Sequence, residues 1–277
     1  MTIILITGAT DGIGLETAQQ LARQGHKSNL AYEIVLHGRS EEKLQRARNA
    51  IQHNSPGVVL HTVHAELTDL SAVTRMAQDL AVQQQQLDVL INNAGVYMTE
   101  RRLTQDGFEM TLAVNHLAHF LLTNLLLPLL KKSSGPRVVT VSSITHSSGR
   151  IDFDNLNSQR HFDAYQAYAN SKLANALFAN SLARRESWLT SNSLHPGVIN
   201  TKLLHSAFDM AGASVAEGAR TPVYLATSPE VTGTTGKYFD RCSAVQPAPS
   251  ALDQRLAQQL WAWSENALRP YFPTRTG

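Results

Sequence analysis

A single α/β domain, doubly wound around a mostly parallel sheet of about seven strands, is the fold that three features of the sequence predict. Short apolar runs alternate with segments of helical spacing along the whole chain. The runs are continuously apolar rather than alternating, which marks strands buried on both faces. No repeat, low-complexity tract or linker divides the 277 residues, a length that one large domain accommodates.

The first run, residues 3–7, ends in a glycine turn. Residues 14–24 then read as a helix, with Leu15, Ala18, Leu21 and Ala22 on one face. Residues 33–37 make a second strand, 41–51 a charged helix, 58–65 a third strand, 70–83 a helix and 89–92 a fourth strand. The most apolar stretch, 111–130, has roughly the length of a membrane span. It contains Asn115, His116, His119 and Asn124, which are costly in lipid, so it reads as a helix buried in the protein or facing another subunit, with no membrane span. A fifth strand at 137–142, a helix at 164–185, a strand at 191–194, helices between 201 and 226 and a last strand at 236–240 follow. Residues 252–268 read as a C-terminal helix, and the segment after Pro270 as loose.

Composition excludes several classes. The chain is 43% hydrophobic and 17% charged, as globular proteins are. A formal net charge of +2 and the lack of a Lys/Arg run give no footprint for nucleic acid. Cys242 is the only cysteine, so there is no intrachain disulfide and no cysteine-based metal site. With no basic leader or cleavage signal at the start, a cytoplasmic location is the expectation. The pairs His61/His64 and His116/His119 have no acidic or thiol partner at metal-binding spacing, so no metal is expected.

Function enters with the glycine turn, Thr7-Gly8-Ala9-Thr10-Asp11-Gly12-Ile13-Gly14, which joins the first strand to the first helix. Glycines allow a tight turn and close approach of a ligand, and the helix N-terminus favours a pyrophosphate. In this strand–turn–helix setting the turn points to a dinucleotide on a Rossmann-type domain, with Gly8, Thr10, Asp11, Gly12, Ile13 and Gly14 in contact. Sites for NAD place an acid after the second strand. Here Gly38 stands there and Arg39 follows, and a guanidinium can pair with a 2′-phosphate, so the expected cofactor is NADP(H).

The spacing of these glycines resembles that of the short-chain dehydrogenase/reductase family, and further motifs agree in order over about residues 1–240. Asn92-Asn93-Ala94-Gly95 follows the fourth strand, Asn115 lies in the next helix, and Ser143 ends the fifth strand. Tyr168 and Lys172 form the Tyr-x-x-x-Lys pair, and Pro196-Gly197 follows the sixth strand, with Thr201 four residues after Gly197. The segments from Gly149 to Leu156 and from Ser171 to Asn175 look like the retinol-dehydrogenase-like branch. The resemblance implies hydride transfer between a nicotinamide and a carbonyl or alcohol. It also implies cofactor contacts at Glu66, Leu67, Asn93, Ala94, Gly95, Tyr168, Lys172, Pro196, Gly197, Val198 and Thr201. Three departures stand out: a longer turn over residues 25–33, Glu66 where the family usually has Asp, and no N-terminal membrane anchor of the kind some retinol dehydrogenases carry.

Tyr168 and Lys172 are four residues apart, so on a helix they share a face. A free phenol has a pKa of about 10. A neighbouring ammonium and a nicotinamide cation would lower it, letting Tyr168 give or take a proton. By resemblance Lys172 also holds the nicotinamide ribose, and Asn115 holds a water in a relay to Lys172. Tyr165 is seven residues from Lys172, about two turns or roughly 10 Å, too far for contact. Ser143 should hold the substrate oxygen, while Ser142 points to the other side of the strand. His195 reads as structural. Residues 144–163 and 202–218 should wall the pocket for a small carbonyl or alcohol, lipophilic if the branch likeness extends to the substrate. A homodimer or homotetramer is expected, because 111–130 and 164–185 carry more apolar surface than one sheet face needs. The alternative is a non-catalytic dinucleotide sensor, which the joint presence of Asn115, Ser143, Tyr168 and Lys172 opposes. An epimerase or dehydratase of an extended relative would need a longer substrate domain.

Overall fold

The computed structural model describes residues 1–28, 31–207 and 210–273. Its elements run β1 (Thr2–Ile6), α1 (Gly12–Ser28), β2 (Tyr32–Gly38), α2 (Glu41–Asn54), β3 (Val59–His64), α3 (Leu70–Gln83), β4 (Val89–Asn92) and α4 (Met110–Leu130). Then come β5 (Arg137–Val141), α5 (Ala164–Arg185), β6 (Thr190–His195), α6 (Lys202–Ala207) and α7 (Val215–Thr227). The chain continues through β7 (Tyr238–Asp240), β8 (Ser243–Val245), α8 (Pro249–Leu252) and α9 (Gln254–Ala267).

The strands form one sheet of eight in the order β3-β2-β1-β4-β5-β6-β7-β8. Every pairing is parallel except β7 with β8. Strand order reverses between β1 and β4, and a crevice opens beyond their carboxyl ends, where open α/β sheets bind ligands. All seven residues of β2 are buried, as a strand covered on both faces requires. One face packs under α1, α2 and α7 through Ile4, Ile6, Leu21, Ile34 and Leu36. The other packs under α3, α4, α5 and α9 through Leu90, Leu117, Leu121, Leu177 and Trp261.

Four differences from the sequence reading have physical reasons. The antiparallel β8 escaped it because Arg241 and Cys242 make the hairpin turn at φ +48° and +61°, where Asn-Gly would have been the signal. Helix α1 runs on to Ser28, so part of the longer 25–33 segment is helix, and the rest of that reading falls partly on residues 29 and 30, outside the described residues. The tail is anchored rather than loose up to Tyr271, whose hydroxyl donates to Asp106 and whose carbonyl accepts from Thr74. Lastly, α9 covers α5 within the same chain. Trp261 stacks on Phe178 at 5.8 Å and meets Phe120 at 4.7 Å, and the Arg185 guanidinium lies 4.4 Å over the indole. Part of the apolar surface of 111–130 and 164–185 is thus covered within the chain. Among the described residues α4 is the one helix long and apolar enough to cross a membrane, and most of it is buried in the core.

Candidate active site

A cleft of about 660 Å³ runs along the carboxyl ends of the central strands. Its floor is the glycine turn. Gly8 and Gly12 have φ of +66° and +53°, a region L side chains avoid. Gly14 must lack a side chain, because a Cβ there would lie 2.2 Å from the Gly8 carbonyl oxygen. The turn is braced from below. Thr7 Oγ1 accepts the N–H groups of Asn93 and Ala94 at 2.8 and 3.0 Å, and Asn93 Nδ2 donates to Thr7 O at 2.8 Å. His37 accepts from Gly8 N–H through Nδ1 and donates to Ala65 O through Nε2. Burial holds that ring neutral, its pKa pushed down to about 4.

At one end Arg39 and Lys43 line the cleft beside Glu66, Leu67 and Thr68. Asp11 sits over the turn, accepting the Gly12 N–H and forming an ion pair with Lys202 that holds its carboxyl below the usual range. At the other end stand Ser143, Tyr168 and Lys172, with Pro196, Gly197, Val198 and Thr201 opposite. Tyr168 and Lys172 share the inner face of α5, with Nζ 5.4 Å from the ring centroid. The ammonium donates to Val141 O at 3.2 Å, and burial pushes its pKa down to about 8. An ammonium has three N–H donors, so others remain for hydroxyl oxygens in the cleft.

Burial pushes the Tyr168 phenol up, and a hydrogen bond with Ser143 opposes this in part, so the hydroxyl carries its proton. Ser143 is set by its backbone: the hydroxyl of Tyr238 and Nδ1 of His146 both contact its carbonyl oxygen, at 2.9 and 2.7 Å. Ser142 also lines the cleft, but its hydroxyl is given to Lys172 O at 2.7 Å.

Of the expected catalytic and cofactor-contact residues, Asn115 alone does not line the cleft. It lies in a π turn, Ala113–Leu117, within α4. Such turns are often found at functional sites. Its carboxamide accepts Val96 N–H at 2.8 Å and donates to Val96 O and Ser171 Oγ, each at 3.0 Å. It therefore works from behind Gly95, where a Cβ would sit 3.5 Å from both Asn115 Oδ1 and Lys172 Nζ. Both expected pocket walls reach the cleft in part. Of 144–163 only Ile144 and Thr145 line the cleft, and of 202–218 only Lys202, Leu203, Leu204 and Met210, with residues 208 and 209 outside the described residues.

Sequence reasoning missed Lys43, His37, Met110 and Val114, which the fold brings to the cleft from α2, β2 and α4. Lys43 could have been found, since it lies on the first turn of the helix that follows Arg39. Among the described residues no three His, Cys, Asp or Glu side chains gather as a metal site would need.

The cleft suits a dinucleotide: cations at one end, a glycine turn on the N-terminus of a 17-residue helix in the middle, and an acid–base pair at the other end. The model of the short chain dehydrogenase family matches residues 2–212. Human retinol dehydrogenase 14 is 40% identical over 95% of this chain and 84% of its own length. Mouse polyprenol dehydrogenase is 40% identical over 94% and 82%. Among solved structures, a Mycobacterium paratuberculosis protein superposes with a TM-score of 0.81 at 34% identity, covering 99% of this chain and 96% of its own. A Shigella flexneri short chain dehydrogenase complexed with NADP gives 0.70 at 27% identity, covering 87% and 97%.

Proposed function

Because the chain belongs to the short chain dehydrogenase family, we propose that it is an NADP(H)-dependent oxidoreductase acting on a lipophilic aldehyde, ketone or alcohol. The observation that carries this reading is the buried Tyr168–Lys172–Ser143 cluster at the far end of a cleft whose near end is lined by Arg39 and Lys43. The bound nicotinamide would supply or accept the hydride. The protein's own groups do the rest. Ser143 and Tyr168 hold the substrate oxygen between two hydroxyls, and Tyr168, kept protonated by burial, gives its proton as charge develops there. Lys172 then stabilises the phenolate left behind and holds hydroxyls of the cofactor ribose.

NADP rather than NAD is supported by the two cations after β2, where no acid stands, and by the NADP-complexed relative. Met110, Val114, Ile144, Leu203, Leu204 and Met210 give the substrate end an apolar wall, which matches the retinol and polyprenol named for the relatives. A cytoplasmic location belongs to the same proposal and rests on the lone Cys242. The test is NADPH oxidation against a panel of aldehydes, ketones and quinones, with NADH in parallel. Turnover with NADPH on lipophilic carbonyls is expected, whereas cofactor binding without turnover on any carbonyl or alcohol would favour the sensor reading.

A further inference from the structure

His119 is buried in α4 one turn after Asn115, and nothing in the chemistry above uses it. Its Nδ1 lies 3.2 Å from the Asn115 carbonyl oxygen and its Nε2 2.9 Å from Thr7 Oγ1. A carbonyl oxygen only accepts, so Nδ1 carries the proton. The groups that face the ring are Thr7, Asn115, Lys172, His37 and His116, and no carboxylate is among them. Burial pushes its pKa down to about 3 against the opposing Asn115 hydrogen bond, with smaller contributions from Lys172, His37 and His116, so Nε2 is bare and accepts the Thr7 hydroxyl proton. The other acceptor near that hydroxyl, Ile91 O, is farther, at 3.3 Å. Each proton in the chain therefore has a direction. The N–H groups of Asn93 and Ala94 donate to Thr7 Oγ1, Thr7 donates to His119 Nε2, and His119 Nδ1 donates to Asn115 O.

We propose that His119, as its Nδ1–H tautomer, is a positioning residue that pins the Asn115 carbonyl in the π turn to the turns ending β1 and β4. The consequence reaches the acid–base pair through Asn115. The π turn carries Ala118 N–H onto Ala113 O, five residues back, so the backbone here lacks the regular α-helical spacing and gains from a side-chain brace. Asn115 holds Val96 by two hydrogen bonds and, with Lys172 Nζ, flanks Gly95. Tilting Asn115 would shift that backbone beneath Lys172 and change the field at Tyr168. This consequence rests on reading Tyr168 and Lys172 as the acid–base pair; the tautomer does not.

Two measurements test it. In the intact, unliganded protein, nitrogen NMR of labelled histidine should show His119 protonated at Nδ1, bare at Nε2 and silent from about pH 5 to 9. An Nε2–H signal or a titration in that window would overturn the proposal. The second uses three variants. His119→Asn keeps a donor near Nδ1, His119→Gln reaches the Nε2 position, and His119→Leu removes both. His119→Leu should lower kcat roughly tenfold, the worth of one well-placed hydrogen bond, and move the pH limb of alcohol oxidation upward. NADPH affinity should stay within about threefold. His119→Asn and His119→Gln each keep one end of the bridge, so each should recover only part of the rate and of the pH limb. Unchanged kcat and pH profile in His119→Leu would overturn the proposal, and so would unmodified kcat and pH limb in either single-ended variant; if His119→Leu does not fold, those two variants decide alone. Should the unmodified protein turn over no carbonyl, the functional reading fails, and the NMR result still decides the bond chain.

Discussion

Burial raises the Tyr168 phenol and brings the Lys172 ammonium down to about 8, so at neutral pH the phenol carries its proton and the ammonium its charge. That state donates to a carbonyl. Reduction should therefore be level below about pH 8 and fall above it as Lys172 loses its charge. Oxidation of an alcohol needs the phenolate and should rise with pH. Lys172→Ala removes the charge that favours the phenolate, so its surviving oxidation should move to higher pH and its NADPH affinity should drop; fluorescence titration and pH–rate profiles measure both. Arg39→Ala should weaken NADPH binding roughly ten- to a hundredfold, the range of a charge-assisted hydrogen bond, and hardly alter NADH binding. Equal losses for both cofactors would contradict the assignment. At this scale the sequence was readable where chemistry demands a residue type at a fixed spacing, as at Tyr168, Lys172 and Ser143. It was silent on burial, which pushes the phenol up and the ammonium down, and on Asn115 standing behind Gly95.

The β1–α1 turn and the π turn of α4 are the elements that position this chemistry. Gly14→Ala tests the first. Its Cβ would lie 2.2 Å from Gly8 O and 2.4 Å from Asn93 Nδ2, and both are backbone-anchored. Overpacking of this kind costs about 1–3 kcal/mol, so a lowered Tm together with lost NADPH binding is expected. Retained binding at full affinity would show that the turn is not the cofactor cradle. The turn was legible because Gly8, Gly12 and Gly14 have no other residue that fits. The π turn was not, since Ala113–Leu117 has the same apolar character as the rest of α4 and its extra residue leaves no mark in hydrophobic spacing. Nor was the β7–β8 hairpin, where Arg241-Cys242 carries none of the usual turn chemistry.

At the scale of the whole molecule, alternating strands and helices were enough to give the doubly wound sheet, but not the fate of the C-terminal helix. The 252–268 segment was read as helical; its docking on α5 is a tertiary contact of residues about eighty apart in sequence, which local patterns do not carry. Trp261→Ala should cost about 3–5 kcal/mol and promote self-association by uncovering Phe120 and Phe178. A dimer of the unmodified protein would mean pairing through a different face. The cleft itself is a whole-molecule property, assembled from segments far apart in sequence between Gly8 and Met210 and closed at its catalytic end by α5. In the proposed reaction this cleft carries hydride transfer with Tyr168 as the proton donor. Its most direct test is the rate of NADPH oxidation at saturating lipophilic aldehyde, measured for the unmodified protein and for Tyr168→Phe in parallel. Turnover is expected in the first and a loss of about 10²–10⁴-fold in the second, with NADPH affinity changed less than a few-fold. Near-normal turnover by Tyr168→Phe would contradict it.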